Sequence, residues 1–154
     1  MSKTIAIGAD HAGYLYKARL IEHLKSKGFE VINVGTDTGD SVDYPVFAEK
    51  VGDLVASSQA FCGILICGTG IGMSMAANKH KGIRAALCTD LVMAEYTRRH
   101  NNANVLCMGA RIIAYEMAEM IADKFLETEF EGGRHAKRVE MICAIENSDF
   151  EALK

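Results

Sequence analysis

The stretch that most constrains the fold of this chain is residues 63–72, which read Gly-Ile-Leu-Ile-Cys-Gly-Thr-Gly-Ile-Gly. The apolar run from Ile64 to Ile66 is short and unbroken, which is typical of a buried strand in a parallel sheet. Three alternating glycines then separate this strand from a segment that can be helical. Cys67 is therefore predicted to end a buried strand, at the edge where open α/β sheets bind ligands.

The glycine-rich loop after Cys67 is predicted to bind an anion. Glycines can adopt positive φ and approach a ligand closely, so that successive N–H groups converge on one oxygen atom. Thr69 adds a hydroxyl group, and a helix amino terminus next to the sulfur would favour the thiolate. A base and an oxyanion-binding loop would then be neighbours. The same residues are also compatible with a buried cysteine followed by an ordinary glycine turn.

Two common nucleotide-binding motifs are excluded by spacing. The dinucleotide motif needs G-x-G-x-x-G after the first strand, whereas Gly68 and Gly70 are followed directly by Gly72, and two strand candidates precede them. A phosphate-binding loop of the Walker type ends in Gly-Lys-Ser/Thr, which neither this loop nor residues 8–13 contain.

Composition favours one cytoplasmic domain over residues 1–154. The chain is 49% hydrophobic and 24% charged, with a net charge of −3 and no apolar span long enough for a membrane helix or signal peptide. This charge argues against a nucleic-acid or membrane surface. The five cysteines lack C-x-x-C spacing, which indicates reduced thiols and no structural zinc.

Apolar periodicity predicts alternating strands and helices. This alternation indicates a single three-layer α/β/α domain with a doubly wound, Rossmann-like, parallel five-stranded sheet. The last helix is apolar on most sides, and we expect it to lie at the interface of a homodimer, with a tetramer also possible. The predicted strands are residues 4–8, 29–34, 64–66, 84–88 and 105–108, and the helices are residues 12–27, 45–55, 73–81, 91–99, 114–127 and 134–146.

Polar side chains follow three of the predicted strands: Asp10 and His11, then Cys67 and Thr69, then Arg111. Because the carboxyl ends of parallel strands share one edge of the sheet, we expect these groups to lie together.

Two further groups lie later in the chain. His100 and Asn101 end the fourth helix, where the alternative is a simple capping role. Arg134 and Arg138 are one helical turn apart and can bind one phosphate, or remain a solvated pair with Glu131 and Glu140 as ion-pair partners.

In order and spacing, these segments together resemble type B ribose-5-phosphate isomerase over nearly the full length. The family also includes galactose-6-phosphate isomerase subunits. The segments that carry the resemblance are Gly8-Ala-Asp-His-Ala-Gly13, Asp43-Tyr-Pro45, Cys67-Gly-Thr-Gly-Ile-Gly72, Ala77-Asn-Lys79, Gly82-Ile-Arg-Ala85, His100-Asn101, Asn104-Val105 and Glu131-Gly-Gly-Arg-His135 followed by Arg138.

The resemblance implies aldose–ketose isomerisation of a phosphorylated sugar through a cis-enediolate, without metal or organic cofactor. It makes Cys67 the base, with Thr69 holding the reacting end, and His100 the acid that opens the sugar ring. The remaining contacts implied for the substrate are the amides of Gly68, Gly70, Ile71 and Gly72 on the enediolate, Tyr44, Asp10 and Asn101 on the sugar, and His11, Arg111, Arg134 and Arg138 on the phosphate. In this family the region around His100 and Arg111 is expected from the partner subunit.

Differences between this chain and some members of the family favour a thiol base and a five-carbon sugar substrate. Members that use a glutamate base carry it where this chain has Ser74 and Met75, and galactose-6-phosphate isomerase subunits lack the pair that His100 and Asn101 form. Ribose 5-phosphate is therefore the expected substrate, with a six-carbon sugar phosphate such as allose 6-phosphate or galactose 6-phosphate as the alternative.

Two other classes of function remain open: a non-catalytic nucleotide- or flavin-binding module, and a thiol-redox protein that uses Cys62 with Cys67. The redox reading is disfavoured because the two side chains should point to opposite faces of the strand.

Overall fold

The structure, a computed structural model, describes residues 3–153 and confirms a parallel five-stranded sheet flanked by helices. The strands are β1 (Thr4–Ala9), β2 (Glu30–Asn33), β3 (Cys62–Cys67), β4 (Ala85–Leu87) and β5 (Val105–Gly109). The helices are α1 (Tyr14–Ser26), α2 (Tyr44–Ala56), α3 (Ile71–Ala77), α4 (Leu91–Asn101), α5 (Tyr115–Glu127) and α6 (Arg134–Glu146), and a short 3-10 helix covers Glu151–Leu153. Within these residues no helix has the length and apolar character needed to cross a membrane.

The strand order is β2-β1-β3-β5-β4, and every neighbouring pair is parallel. From β1 the chain moves outward to β2 and then returns to the other side of β1 as β3. The connections that leave β1 and β3 therefore diverge, and a crevice forms between the carboxyl ends of these strands. The register places Ala9 beside Ile66 and Cys67 beside Gly109.

Each face of the sheet is covered by a layer of helices. On one face α1, α4 and α5 pack over Ile7, Ile66 and Met108, and on the other α2 and α3 pack over Leu65, Cys67 and Cys107. Side chains along β3 point alternately to the two faces of the sheet. Because helices cover both faces, β3 is apolar on both sides.

Several helix ends differ from the sequence prediction, and at two of them a polar side chain engages the backbone. Helix α1 begins at Tyr14 and not at residue 12, since residues 10–13 form a turn in which Asp10 accepts hydrogen bonds from the amides of Ala12 and Gly13. Helix α3 ends at Ala77 and not at residue 81. The next side chain, Asn78, turns to the open edge of β4, where its amide group exchanges two hydrogen bonds with the backbone of Ala85.

Helix α6 lies beside α4 at the β4 side of the sheet. Its bounds are those that the sequence predicts. Only His135 and Ala144 on this helix are buried, whereas Ile142 is 44% and Ile145 is 56% exposed. The apolar side chains that predicted an interface are therefore uncovered in the single chain.

Candidate active site

The Cys67 sulfur lies inside a tight turn at the carboxyl end of β3. Gly70 takes the left-handed conformation (φ 78°) that begins α3, and its amide donates a hydrogen bond to the Cys67 Sγ over 3.1 Å. Cys67 is 5% exposed. A backbone N–H directed at the sulfur stabilises negative charge there, which is what a thiolate base needs.

Not all of the amides in residues 68–72 are free for a substrate oxygen. The Gly70 amide is used by Cys67, and the Ile71 amide donates to the Thr69 hydroxyl over 3.3 Å. The sequence assigned the oxyanion to the whole loop. Of the four predicted oxyanion donors, Gly68 and Gly72 are the better candidates, because their amides donate neither of these two hydrogen bonds.

The loop after β1 brings Asp10 and His11 to the same edge. The Asp10 amide donates to the Ile66 carbonyl over 3.1 Å, which fixes this loop against the end of β3. One Asp10 carboxylate oxygen is used by its own turn, so only the other can receive a substrate hydroxyl. The His11 Nδ1 accepts from the Val42 amide over 3.2 Å, so the neutral ring carries its proton on Nε2 and can donate it to an anion.

Two side chains border the turn from opposite sides. The Arg111 amide donates to the Gly68 carbonyl over 2.9 Å, and its guanidinium covers Gly68, where an added Cβ would lie 3.3 Å from Nη1. The Tyr44 ring covers Gly72, with its hydroxyl 2.9 Å from the position of an added Cβ. Arg111 thus lies beside the turn after Cys67 of its own chain. Its expected origin in a partner subunit, together with His100, stays a prediction.

The remaining predicted residues lie at the opposite edge of the sheet. His100 and Asn101 end α4, shortly before Asn104, whose carbonyl accepts from the Gly63 amide over 2.9 Å. Gly63 and Cys67 are four residues apart, about 13 Å along a strand. Arg134 and Arg138 begin α6 close to His100.

The predicted residues therefore form two groups within one chain. We call the first the Cys67 group, which contains Asp10, His11, Tyr44, Cys67, Gly68, Thr69, Gly70, Ile71, Gly72 and Arg111. The second is the His100 group, which contains His100, Asn101, Arg134 and Arg138.

Glu131 and His135 lie beside the His100 group, although neither was among the predicted site residues. The rings of His100 and His135 are stacked, with centroids 4.0 Å apart and planes at 8°. Burial, together with the positive charges nearby, lowers the pKa of His135. Glu131 pairs with Arg99 and not, as expected, with the two arginines of α6, and this pairing lowers its pKa. The spacing of four residues between Glu131 and His135 was the sequence signal that could have identified this pair.

Arg134 and Arg138 are exposed and form no ion pair within residues 3–153. The reading in which they are neutralised by neighbouring carboxylates is thus not supported by the contacts. Two unpaired guanidiniums one turn apart are well suited to a dianionic phosphate.

Three of the other four cysteines are buried and differ from Cys67. Burial raises the pKa of Cys62 and of Cys88 to about 12, and that of Cys107 well above its usual range, so these thiols stay protonated at neutral pH. Cys62 packs in the cluster on one face of the sheet and Cys67 in the cluster on the other. This confirms the expected opposite orientation and removes the thiol-redox alternative that pairs them.

Comparison with known proteins places this chain in one family. A family profile described as Ribose/Galactose Isomerase matches residues 5–142. Ribose-5-phosphate isomerase B of Escherichia coli strain K12 is 48% identical over 144 residues, covering 94% of this chain and 97% of that protein.

Solved structures agree with this assignment. Ribose-5-phosphate isomerase B of Clostridium thermocellum superposes with a TM-score of 0.93 at 50% identity, covering 94% of this chain and 98% of that one. The Mycoplasma genitalium enzyme, solved with bound ribulose 5-phosphate, gives 0.92 at 46% identity, covering 96% of this chain and 98% of that one. With the match extending over nearly the whole chain in sequence and in fold, this protein belongs to the ribose/galactose isomerase family.

Proposed function

We propose that this chain interconverts ribose 5-phosphate and ribulose 5-phosphate, with Cys67 as the base. The observation that carries the proposal is the Gly70 amide on the Cys67 Sγ, at the mouth of the crevice between β1 and β3. Proton abstraction beside a carbonyl needs a base and fixed donors for the developing charge. The family relationship supports the substrate, since relatives that match over nearly the full length include proteins named ribose-5-phosphate isomerase B.

The chemistry balances without any added group. The thiolate of Cys67 takes the proton from C2 of the open-chain aldose and returns it to C1, while the proton of the C2 hydroxyl moves to the oxygen on C1. The oxyanion of the enediolate intermediate is held by the amides of Gly68 and Gly72. Asp10 orients a hydroxyl of the sugar, and the Nε2–H of His11 and the guanidinium of Arg111 hold the phosphate.

We further propose that His100, Asn101, Arg134 and Arg138 enter this site from a second copy of the chain. The support is helix α4, which runs from one edge of the sheet to the other. Val92, Tyr96 and His100 lie four residues apart on one side of α4, with Val92 64% and Tyr96 44% exposed. Two such helices packed antiparallel about a twofold axis would put each His100 near the partner's carboxyl edge.

Exposed apolar side chains around the Cys67 group favour the same arrangement. Ile71 is 47%, Met75 65% and Ile112 56% exposed, and all three border the turn after Cys67 or the end of β5. Apolar side chains grouped on one surface of a soluble chain are typical of an interface. In this dimer the partner's His100 would protonate the ring oxygen as the sugar opens.

The test of the base is Cys67→Ala. Because a positioned general base contributes about 10²- to 10⁴-fold, we expect the turnover of ribose 5-phosphate to fall by that factor. Cys62→Ala is the matched control, since Cys62 begins the same strand on the other face, and it should keep the wild-type rate. Near-normal turnover by Cys67→Ala would exclude the thiol base. Parallel assays with allose 6-phosphate and galactose 6-phosphate decide between a five- and a six-carbon substrate.

A further inference from the structure

The side chains of His100, Glu131 and His135 lie close together near the amino end of α6, and each offers one atom that could bind a metal ion. Glu131 gives its Oε1 to Arg99, whose Nε donates over 2.6 Å. Its other oxygen, Oε2, lies 3.7 Å from the Nε2 of His100 and 3.6 Å from the Nε2 of His135. The carboxylate is thus fixed by the arginine, and its free oxygen faces both imidazoles.

The separation between His135 and Glu131 suits a shared ion better than a direct hydrogen bond, and His100 joins them only after its ring turns out of the stack with His135. Hydrogen bonds from nitrogen to oxygen are about 2.7–3.2 Å long, so both distances are too long. Two ligands of one Zn²⁺, with bonds of about 2.0–2.2 Å, are about 3.3–3.7 Å apart in tetrahedral or trigonal geometry. The three ligand atoms all lie within 4.8 Å of one another.

A second observation points to a ligand at the same place. His135 is 7% exposed, and among residues 3–153 its Nε2 is a buried side-chain atom without a hydrogen-bond partner. Leaving such an atom unpaired costs about 1–3 kcal/mol, so buried polar groups normally have a partner. The unpaired nitrogen lies 3.6 Å from the Oε2 of Glu131.

We propose that His100, Glu131 and His135 bind a divalent transition-metal ion such as Zn²⁺, and that this ion inhibits the isomerase by capturing His100. Two imidazoles and one carboxylate are a donor set that Zn²⁺ accepts, with water in the fourth position. The buried His135 is fixed, whereas the side chain of His100 is 30% exposed and can turn out of the stack to direct its lone pair at the ion. The inhibitory part, but not the binding, rests on the proposed function of His100.

The binding test uses Cys67→Ala protein, because a free thiol near the surface of the crevice would compete for the metal. Zn²⁺ is added to dialysed protein and followed by calorimetry, and Co²⁺ by its visible absorption. We expect one ion per chain and an affinity at least tenfold weaker after His135→Gln. His23→Gln is the matched control: His23 also lies between two carboxylates, but it is hydrogen-bonded to Asp123 at 2.8 Å, and its loss should leave the affinity unchanged.

Should His135→Gln fail to fold by circular dichroism, Glu131→Gln gives the same test, since Glu131 is 37% exposed at its side chain. Binding that is absent, or that survives both substitutions, would overturn the site.

The inhibition test uses the chain with Cys67 intact. Zn²⁺ should lower turnover reversibly, with recovery on adding a chelator, and His135→Gln should need at least ten times more Zn²⁺ for half-inhibition relative to its own metal-free rate. Inhibition unchanged by His135→Gln would place the ion elsewhere, for example on Cys67. Tight binding without inhibition would overturn the role of His100. Absence of isomerase activity in metal-free protein would count against the proposed function alone, because the binding measurement does not depend on it.

Discussion

Gly109 ends β5 directly beside the turn that carries Thr69. An added Cβ at this position would lie 2.5 Å from both the carbonyl carbon and the carbonyl oxygen of Thr69. These are backbone atoms, which cannot rotate away as the end of a long side chain can. The position of the oxyanion loop therefore depends on the absence of a side chain on the neighbouring strand.

Gly109→Ala should displace this loop and reduce both stability and activity. Overpacking costs about 1–3 kcal/mol, and a shift of about 1 Å at a reacting group can cost 10²-fold in rate, so we expect both effects, with turnover lowered at least tenfold. Urea unfolding and the ribose 5-phosphate assay measure them. Gly39→Ala is the control, because its Cβ would meet Tyr14 at an ordinary 3.5 Å. Equal activity of the two variants would contradict the assigned role of Gly109.

Individual residues were predictable from sequence where local pattern decides their place. Cys67, Asp10 and Arg111 each follow a short apolar strand, and the parallel topology brings their loops to one edge. The partner of Glu131 was not predictable in this way. Sequence spacing offered it as a possible ion-pair partner of Arg134 and Arg138, whereas it pairs with Arg99 of α4, a contact between residues 32 apart that depends on how the segment before α6 packs on α4.

At the scale of elements, the loop between β2 and α2 is held by a buried lysine of α1. Lys17 is 1% exposed, and its ammonium donates to the Asn33 Oδ1 over 2.7 Å and to the Asp37 Oδ1 over 2.5 Å. The same loop donates the Val42 amide to His11. Asp37 therefore helps to hold the loop whose Val42 amide sets the tautomer of His11, a residue predicted to bind the substrate phosphate.

Asp37→Asn should destabilise the protein at neutral pH. Hydrogen bonds from Asn33 and Lys17 lower the pKa of Asp37 below its ordinary 3.8, so its carboxylate stabilises the fold above pH 3.8 and this contribution is lost as the pH falls through the lowered value. Breaking a buried pair costs about 3–5 kcal/mol, but Asp37 is 68% exposed, so we expect about 1–2 kcal/mol at pH 7.

Urea unfolding of the wild type and Asp37→Asn at pH 7 and pH 3 measures this difference, which should shrink at pH 3. Asp40→Asn, in the same loop but bonded only to Thr38 among the described residues, should be nearly neutral. A difference that is the same at both pH values would contradict the electrostatic account.

The type and order of the elements were predictable because apolar periodicity is a local property of the sequence. The start of α1 and the end of α3 were not predictable in this way. The start of α1 depends on the Asp10 turn, which is held against Ile66 of another strand. The end of α3 depends on Asn78 reaching the edge of β4. In both cases a side chain accepts or donates hydrogen bonds at the backbone and overrides helix propensity at the helix end.

At the scale of the whole molecule, the predicted catalytic residues Cys67 and His100 lie far apart within one chain. The sequence placed the Cys67 group and the His100 group in one site, and the structure puts them at opposite edges of the same sheet. Apolar periodicity predicts which edge of the sheet each residue reaches, and only the family resemblance suggested that a second copy of the chain supplies His100. A symmetric dimer reconciles both observations, since it repeats each group at two places.

Mixing two inactive variants tests this arrangement. One variant is Cys67→Ala, which keeps His100, and the other is His100→Asn, which keeps Cys67. An equimolar mixture is unfolded in urea and refolded together so that subunits exchange. In a shared site, each mixed dimer has one site with both residues intact and one with neither. Random pairing makes half of the dimers mixed, so about a quarter of the wild-type activity should return.

The alternative arrangement predicts a different result from the same mixture. If Cys67 and His100 of one chain formed the site, every site in every dimer would lack one of the two, and mixing would restore nothing. Refolding each variant alone controls for residual activity, and a mixture of Cys67→Ala with the double variant controls for the procedure, because it contains no intact Cys67. Recovery should also require the dimer, so dilution below its dissociation constant should abolish the restored activity together with that of the wild type.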